Sequence, residues 1–286
     1  MYEEFYKLRE MPFALTPDPA YLYLSPQHKL ALSMLRYGVM GQSGFCLLTG
    51  EVGSGKTLLV RHLLDSLPKG VTVGFLHNLT RDSDDLLQWI GMAFSLPHAG
   101  KDVVTLYQDF IEFLLREYAA GRRVLLIVDE AQNLTPEMLE QLRVLSNVNA
   151  GKHLLLQTFL VGQPELLDTL RDPSLRQFAQ RITIEYHLKP LGLEDTVAYV
   201  KHRLLVAGAD AELFSIGAIA LAQQATGGVP RLINQLCDTA LVYGFAGEQP
   251  AIDAGLMTEV IAGRKAGGIF RGFDQTLPVP VLAQHV

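Results

Sequence analysis

The chain has 286 residues, enough for one large domain or two modest ones. Apolar residues make up 49% of it and charged residues 19%, a balance typical of a globular protein with a substantial core. Its net charge of −6 argues against a protein that holds DNA or anionic lipid by bulk electrostatic attraction.

The compartment is indicated by three patterns. No apolar run approaches the roughly 18 residues of a transmembrane helix, and the charged N-terminus MYEEFYKLRE lacks the apolar core of a signal peptide. Cys46 and Cys237 form neither a CxxC pair nor a metal-ligand spacing, and two isolated thiols are typical of a reducing compartment. We expect a cytoplasmic protein that reaches the inner membrane, as a peripheral protein, only through a partner.

The first two thirds of the chain alternate between strand and helix patterns. Residues 1–24 are rich in proline and aromatic residues, which predicts an extended segment lying against the core. Ser25 and Pro26 then begin a helix that runs to about Tyr37. Strands are expected at 45–48, 71–76, 124–128, 154–161 and 182–187, and helices at 58–64, 83–94, 105–120, 135–145 and 163–180. This alternation requires a parallel sheet with helices on both faces.

The pattern changes after Lys189 and Pro190, because only helical periodicity follows. Helices are expected at about 193–204, 214–225, 230–240 and 254–262. The sequence therefore predicts an α/β domain over 1–188, a small all-helical domain over 189–265, and a flexible tail rich in Gly and Pro over 266–286.

The sequence GEVGSGKT between the first strand and the following helix matches G-x-x-x-x-G-K-[ST], a phosphate-binding P-loop. A polyphosphate is densely negative, so its binding loop needs several inward-facing N–H groups, and glycine permits that turn. Lys56 would reach the β- and γ-phosphates, and the Thr57 hydroxyl would be a ligand of Mg²⁺. The residues expected to bind ATP are Gly50, Glu51, Val52, Gly53, Ser54, Gly55, Lys56, Thr57 and Leu58.

The sequence VLLIVDE is a run of apolar β-formers that ends in two carboxylates. Asp129 would hold the Mg²⁺ shell at the carboxyl end of this strand, opposite the P-loop. Glu130 would polarise a water molecule for attack on the γ-phosphate. Alone, the run could equally be a buried strand ending in a solvated acidic turn. With a P-loop upstream, the catalytic interpretation is favoured, and the pair predicts hydrolysis of ATP as well as binding.

Several motifs together resemble the AAA+ ATPases of the ExeA/GspA type. They are PFALTPDPAYLYLSPQHKLALSMLRYG, TGEVGSGKT, VDEAQNL, VGQPEL, RQFAQRI and GGVPRLINQLCD, and the resemblance covers about residues 1–263. It implies a P-loop α/β domain with a helical lid, and a nucleotide-dependent homo-oligomer for which a hexamer is one arrangement. It also implies partners in secretion or in cell-envelope assembly. A similar branch accompanies exosortase and exopolysaccharide gene clusters, and the TniB and MuB transposition ATPases are more distant.

The resemblance implies roles for further residues. The stretch 15–23 would border the adenine; packing of the N-terminus is the alternative, and the two are compatible. Gln163 occupies the sensor-1 position, where the family more often has Asn, Ser or Thr. Arg176 and Arg181 lie where the family places its arginine finger, with a slight preference for Arg176, and either could be a surface ion pair instead. Arg231 corresponds to the sensor-2 arginine, which reaches from the lid to the phosphates.

Three functions remain open at this point. The first is an ATPase that powers or regulates assembly or export of envelope components. The second is a transposition-type regulator that forms filaments on DNA, which the acidic charge disfavours. The third is a nucleotide switch with little turnover, which Glu130 disfavours. Some ExeA-type proteins continue into a membrane span and a peptidoglycan-binding region. This sequence shows neither, so the resemblance favours the exopolysaccharide-associated branch.

Overall fold

The computed structural model describes residues 1–16, 18–41, 43–77, 79 and 86–267. Its contacts divide the chain into two compact units. The α/β unit is Pro17–Pro190. The helical unit combines Met1–Thr16 with the chain from Leu191 onward.

The α/β unit is built on a five-stranded parallel sheet. Its strands, with a short antiparallel hairpin formed by β4 and β5, are β1 (Phe45–Gly50), β2 (Val71–Leu76), β3 (Arg123–Val128), β4 (Asn149–Ala150), β5 (His153–Leu154), β6 (Leu156–Gly162) and β7 (Ile182–Leu188). The strand order in the sheet is β2-β3-β6-β1-β7. Strand β6 therefore lies between β1, which precedes the P-loop, and β3, which Asp129 and Glu130 follow. We call β3 with these two residues the acidic strand. The carboxyl ends of β1, β3 and β6 meet at one edge of the sheet.

Helices cover both faces of this sheet, which confirms the predicted architecture. They are α1 (Pro26–Met40), α2 (Lys56–Asp65), α3 (Leu86–Ala93), α4 (Val103–Ala119), α5 (Pro136–Leu145), α6 (Glu165–Leu170) and α7 (Arg176–Ala179). Alternate residues of β1 enter different cores. Phe45 and Leu47 pack with α3, α4 and α5, whereas Cys46 and Leu48 pack with α1 and α2. Central strands buried on both faces explain why their sequences are almost entirely apolar.

The pattern of the polar segment 163–180 predicts a single helix, but the structure contains no single helix there. It is divided into α6, a 3₁₀ turn over Pro173–Leu175, and α7. Asp172 caps the 3₁₀ turn with its side chain, and Pro173 follows as the first residue. Proline lacks the N–H that a continuous helix would need there, so α6 ends before it.

The helical unit contains the four helices expected from the periodicity. They are α8 (Leu193–Val206), α9 (Ile216–Thr226), α10 (Pro230–Ala246) and α11 (Ala254–Gly267). Helix α11 extends into the first two residues of the predicted tail, and 268–286 lie outside the described residues. In the described part of the chain, no helix has both the length and the apolar composition needed to cross a lipid bilayer.

The N-terminal segment departs from its predicted position. Residues 1–16 belong to the helical unit, whereas the sequence placed them against the α/β core. Turns and bends, rather than an extended run, form most of the segment. The buried guanidinium of Arg203 on α8 donates hydrogen bonds to the carbonyl oxygens of Pro12 and Ala14. Phe13 is fully buried, and its ring packs edge-on against Phe214 at 5.7 Å between centroids. These partners lie 189 to 201 residues apart in the sequence, so local patterns did not indicate them.

We expect Phe13→Ala to destabilise the helical unit by about 3–5 kcal/mol, because the substitution removes a buried ring and leaves a cavity. Met11→Ala is the matched control. Its side chain is 51% exposed in the same segment, and its loss should cost less than about 0.5 kcal/mol. Hydrogen exchange of peptides from α8 and α9 measures both effects. Equal protection in the two variants would show that the segment does not stabilise this unit.

Candidate functional site

The P-loop connects the carboxyl end of β1 to α2, and its backbone requires glycine at three positions. Gly53 and Gly55 have φ values of 80° and 98°, in the left-handed region that side chains with a Cβ rarely adopt. A Cβ on Gly50 would lie 2.6 Å from the carbonyl oxygen of Leu188. The three glycines of the loop are therefore explained by conformation at Gly53 and Gly55 and by a close backbone approach at Gly50.

The first turn of α2 is suited to bind an anion. The N–H groups of Lys56, Thr57 and Leu58 have no acceptor within the helix, since they belong to its first turn. Gly55 at the N-cap has no side chain that could accept from them. The buried hydroxyl of Ser54 makes no hydrogen bond within the described residues. Free N–H groups at the positive end of a helix dipole form a binding site for phosphate.

His28 on α1 supports the P-loop from behind. Its Nε2 lies 3.2 Å from the carbonyl oxygen of Ser54, and its Nδ1 lies 2.7 Å from the Ser25 hydroxyl. The ring is buried, and Ser25 is also the N-cap of α1. The first turn of α1 is thus fixed against the P-loop. The sequence does not single out His28, since a histidine three positions after a capping serine carries no distinctive signal.

The Lys56 side chain folds back over its own loop. Its buried Nζ donates to the carbonyl oxygens of Gly50 at 2.7 Å and Glu51 at 2.9 Å. Burial lowers the pKa of the Lys56 ammonium, and the carboxylates of Glu130 and Asp129 oppose that shift. The lysine therefore stands between the phosphate-binding loop and the acidic end of β3.

The structure brings the P-loop and the acidic strand together. The Thr57 hydroxyl donates to Oδ2 of Asp129 at 2.9 Å, and Asp129 is almost completely buried. Nδ1 of His77, which follows β2, lies 3.5 Å from the same oxygen. The two residues expected to hold Mg²⁺ are therefore in direct contact. His77 is an additional neighbour that the sequence did not reveal, because β2 ends beside β3 only in the folded sheet.

Glu130 adopts a left-handed conformation with φ 54° and ψ 39°, which is uncommon for a residue with a side chain. Two amides hold its carboxylate: Nε2 of Gln132 lies 2.6 Å from Oε2, and Nε2 of Gln163 lies 3.1 Å from the same oxygen. The backbone N–H of Gln163 in turn donates to Oε1 of Gln132 at 3.0 Å. A Cβ on Gly162 would lie 3.1 Å from that oxygen, so the glycine leaves room for this network.

The environment of Glu130 keeps it ionised. Burial tends to raise the pKa of its carboxyl, but the hydrogen bonds from Gln132 and Gln163, with the nearby charge of Lys56, bring the pKa below its usual value. Gln132 was not singled out from the sequence, although it lies two residues after Glu130 in VDEAQNL. Its role depends on the meeting of β3 and β6, which the motif alone does not specify.

The two candidate finger arginines have different environments in the structure. Nη1 of Arg181 donates to the Ser146 hydroxyl at 2.7 Å and to the Arg143 carbonyl at 3.2 Å. Arg181 therefore binds the C-terminal end of α5 within its own unit. Arg176 is exposed at the start of α7. Arg231 is exposed in the first turn of α10, in the helical unit. The proposed adenine-bordering stretch 15–23 contains the buried Tyr21, and its residue 17 lies outside the described residues.

Comparison with known proteins agrees with this site. A family model described as an AAA domain matches residues 39–170, which include the P-loop and the acidic strand. The chain is 47% identical over 247 residues to General secretion pathway protein A of Aeromonas hydrophila. The match covers 86% of this chain and 45% of that protein. The chain therefore spans less than half the length of this relative.

Solved structures show the same fold at low identity. The Aeropyrum pernix ORC2 protein in ADPNP-ADP complexes has a TM-score of 0.64 and 16% identity, covering 88% of this chain and 71% of that one. Cdc6p from Pyrobaculum aerophilum has a TM-score of 0.63 and 15% identity, covering 84% and 67%. Drosophila ORC bound to DNA has a TM-score of 0.62 and 14% identity, covering 89% and 64%. These likenesses concern the fold alone.

We expect Gln132→Ala to raise the pKa of Glu130, because burial then acts against fewer hydrogen bonds to the carboxylate. Gln180→Ala, at an exposed position, is the control and should leave that pKa unchanged. The measurement is a ¹³C NMR titration of the side-chain carboxyls, with the Glu130 signal assigned by its loss in Glu130→Gln. A pKa in Gln132→Ala equal to that of the unmodified protein would contradict the assigned network.

Proposed function

Because the chain belongs to the AAA+ ATPases of the ExeA/GspA type, we propose that it hydrolyses ATP with Mg²⁺ and uses this cycle to power or regulate assembly or export of cell-envelope components. The proposal that the chain hydrolyses ATP rests on the contact between Thr57 and Asp129, with Lys56 and Glu130 beside it. It unites the two halves of an ATPase site that lie far apart in the sequence.

The P-loop supplies the binding half of the proposed mechanism. N–H groups of residues 53–58 would bind the phosphate oxygens, and Lys56 would exchange the carbonyls of its own loop for the β- and γ-phosphates. The hydroxyl of Thr57 and the carboxylate of Asp129 are hard oxygen ligands of the kind that Mg²⁺ prefers. Bound there, Mg²⁺ would neutralise charge on the β- and γ-phosphates.

Glu130 supplies the catalytic half. As an ionised carboxylate it can accept a proton from water while that water attacks the γ-phosphate. Gln132 and Gln163 both donate hydrogen bonds to Oε2, which fixes the carboxylate, and Oε1 is the oxygen that we assign to accept the proton. We assign Gln163 the sensor-1 role, in which it would link the state of the γ-phosphate to the neighbouring strands, and its hydrogen bond to Glu130 supports that assignment.

We assign the arginine finger to Arg176 rather than Arg181. A finger has to reach the γ-phosphate of a neighbouring subunit, which suits an exposed side chain at the start of α7. The Arg181 side chain instead donates two hydrogen bonds at the C-terminal end of α5 in its own subunit. Arg231 is assigned to the sensor-2 role, because a cation in the first turn of a helix is disfavoured by the dipole unless an anion such as phosphate compensates for it.

The envelope role rests on the relative from Aeromonas hydrophila, which is named for general secretion. The narrower assignment to an exopolysaccharide system rests only on the motifs. In this proposal the protein is a cytoplasmic homo-oligomer that contacts the inner membrane through envelope partners. Salt-dependent binding to DNA in the presence of ATP would instead favour the transposition-type function.

We expect Lys56→Ala to abolish ATP binding, since the phosphates lose their principal cation. Glu130→Gln should retain ATP binding, lower hydrolysis by about 10²- to 10⁴-fold, and trap the ATP-bound assembly. Nucleotide binding by fluorescence and phosphate release by a coupled assay distinguish the two variants. Hydrolysis by Glu130→Gln at the unmodified rate would show that Glu130 does not activate the water.

We expect the rate of ATP hydrolysis per subunit to rise with protein concentration, because one subunit would contribute Arg176 to the ATP site of the next. Arg176→Ala should lower the maximal rate by about 10³-fold or more while leaving ATP affinity unchanged. Arg181→Ala should instead lower the stability of the α/β unit by about 1–3 kcal/mol, since it removes two hydrogen bonds at the end of α5. The reverse pattern in hydrolysis and thermal unfolding would exchange the two roles.

A further inference from the structure

The amino ends of the strands, opposite the P-loop, carry an excess of positive charge. Four segments lie there: the end of α1 (37–41), the loop before β2 (66–70), the end of α4 with the start of β3 (115–123), and the hairpin of β4 and β5 (149–154). They contain five lysine and arginine residues and a single acidic residue, whereas the whole chain has a net charge of −6. We call this surface the basic end, defined by Lys69, Arg116, Arg122, Arg123 and Lys152.

Contacts join the four segments into one surface. The backbone N–H of Arg123 donates to the carbonyl oxygen of Gly70 at 2.9 Å, which links the start of β3 to the loop before β2. Nη1 of Arg123 donates to two carbonyl oxygens at the end of α1, at 3.2 and 3.4 Å. The rings of Tyr118 and His153 lie 5.9 Å apart between centroids, which links α4 to the hairpin. Cations that are distant in the sequence therefore share one end of the α/β unit.

The acidic residue of the four segments does not cancel this excess. Glu117 is buried, and its two carboxylate oxygens accept hydrogen bonds from Nε and Nη2 of Arg122 at 2.7 and 2.6 Å. The Arg122 side chain nevertheless remains 45% exposed. Lys69, Arg116 and Lys152 are exposed as well. Glu117 therefore binds one of the five cations from beneath the surface, and the charge presented to solvent is positive.

Exposed apolar side chains lie among these cations. Tyr37 and Met40 at the end of α1 are 70% and 63% exposed, and Leu115 and Tyr118 at the end of α4 are 46% and 42% exposed. Tyrosine combines an apolar ring with a polar hydroxyl, which suits the boundary between lipid headgroups and acyl chains. Lysine and arginine side chains extend their charged groups past such neighbours. A basic surface with exposed apolar side chains matches the interface of an anionic bilayer.

The basic end is separated from the acidic residues of the ATPase site by the length of the sheet. Arg123 begins β3, and Asp129 and Glu130 follow the other end of the same strand. A strand of six residues spans about 20 Å, roughly two Debye lengths at physiological ionic strength. The potential at a surface that touches the basic end is therefore set by the nearby cations, although the net charge of the chain is negative.

We propose that the basic end binds the surface of an anionic lipid bilayer directly, with the P-loop facing away from the lipid. The inference goes beyond the proposed function, in which partners make the membrane contact, and it does not depend on ATP hydrolysis. Lipid phosphates would pair with the lysine and arginine side chains, and the four exposed apolar side chains would enter the headgroup layer. Nucleic acid offers the same phosphate chemistry. Met40 and Leu115, however, are aliphatic and do not stack on bases as aromatic rings do, whereas a bilayer removes them from water.

Vesicle flotation of the full chain tests the role of charge. The chain should bind vesicles of phosphatidylcholine mixed with phosphatidylglycerol at about three to one, and should not bind vesicles of phosphatidylcholine alone. Lys69→Ala/Arg116→Ala/Lys152→Ala should weaken binding about 10²-fold, since each cation near an anionic surface contributes about fivefold. Raising the salt concentration should weaken it further. Equal binding to both kinds of vesicle, or no binding to either, would overturn the inference.

Lys29→Ala/Arg61→Ala/Lys189→Ala is the matched control. These three residues are exposed in the same α/β unit outside the four segments, and their removal changes the net charge by the same amount. The control should bind the mixed vesicles as tightly as the unmodified chain. Equal weakening by the two triple variants would show that net charge alone decides binding, and would remove the basic end as the docking surface. Circular dichroism establishes that both variants are folded.

A fluorescent probe tests which end of the unit meets the lipid. The native Cys46 and Cys237 are buried, so an introduced exposed cysteine is the thiol that reacts. A bimane on Met40→Cys should shift its emission to shorter wavelength on the mixed vesicles, because it enters the headgroup layer. Leu30→Cys is the control: Leu30 is also exposed, and it lies about 15 Å along α1 toward the P-loop. An equal shift at both positions, or a shift at Leu30→Cys alone, would overturn the proposed orientation.

Anisotropy of a fluorescent DNA duplex tests the other anionic occupant. We expect the unmodified chain to bind the mixed vesicles and to leave the duplex unbound at the same protein concentration and salt. Binding of the duplex without binding of the vesicles, with the duplex released by Lys69→Ala/Arg116→Ala/Lys152→Ala, would assign the basic end to nucleic acid and overturn the lipid assignment.

Discussion

The hydrogen bond between Thr57 and Asp129 joins two segments on which the rest of the site depends. It forms because β1 and β3 run parallel with β6 between them, so their carboxyl ends reach the same edge of the sheet. Burial of these strands on both faces fixes their register, since a shift of one residue would exchange the side chains that pack into the two cores. The precision of a two-residue contact is therefore supplied by the packing of a whole domain.

The carboxylate of Glu130 illustrates a balance between opposing effects. Burial disfavours its charge, whereas two amide donors and a nearby lysine favour it, and the favourable interactions prevail. Its left-handed backbone turns the carboxylate toward Gln132 and Gln163. Because Gln163 follows β6 directly, the Glu130 carboxylate is linked to the strand that lies between β1 and β3. Its orientation is thus set by the sheet as well as by the acidic motif.

The sequence alone determined the P-loop, the acidic strand, the alternation of strands and helices, and the change to helices after residue 190. Phosphate binding requires fixed residue types at a fixed local spacing, and burial imposes a local period on each element. Tertiary structure decided which side chains come into contact: Gln132 with Glu130 and Gln163, Arg181 with the end of α5, and Phe13 with the helical unit. Such contacts depend on partners that folding brings together, so no local pattern specifies them.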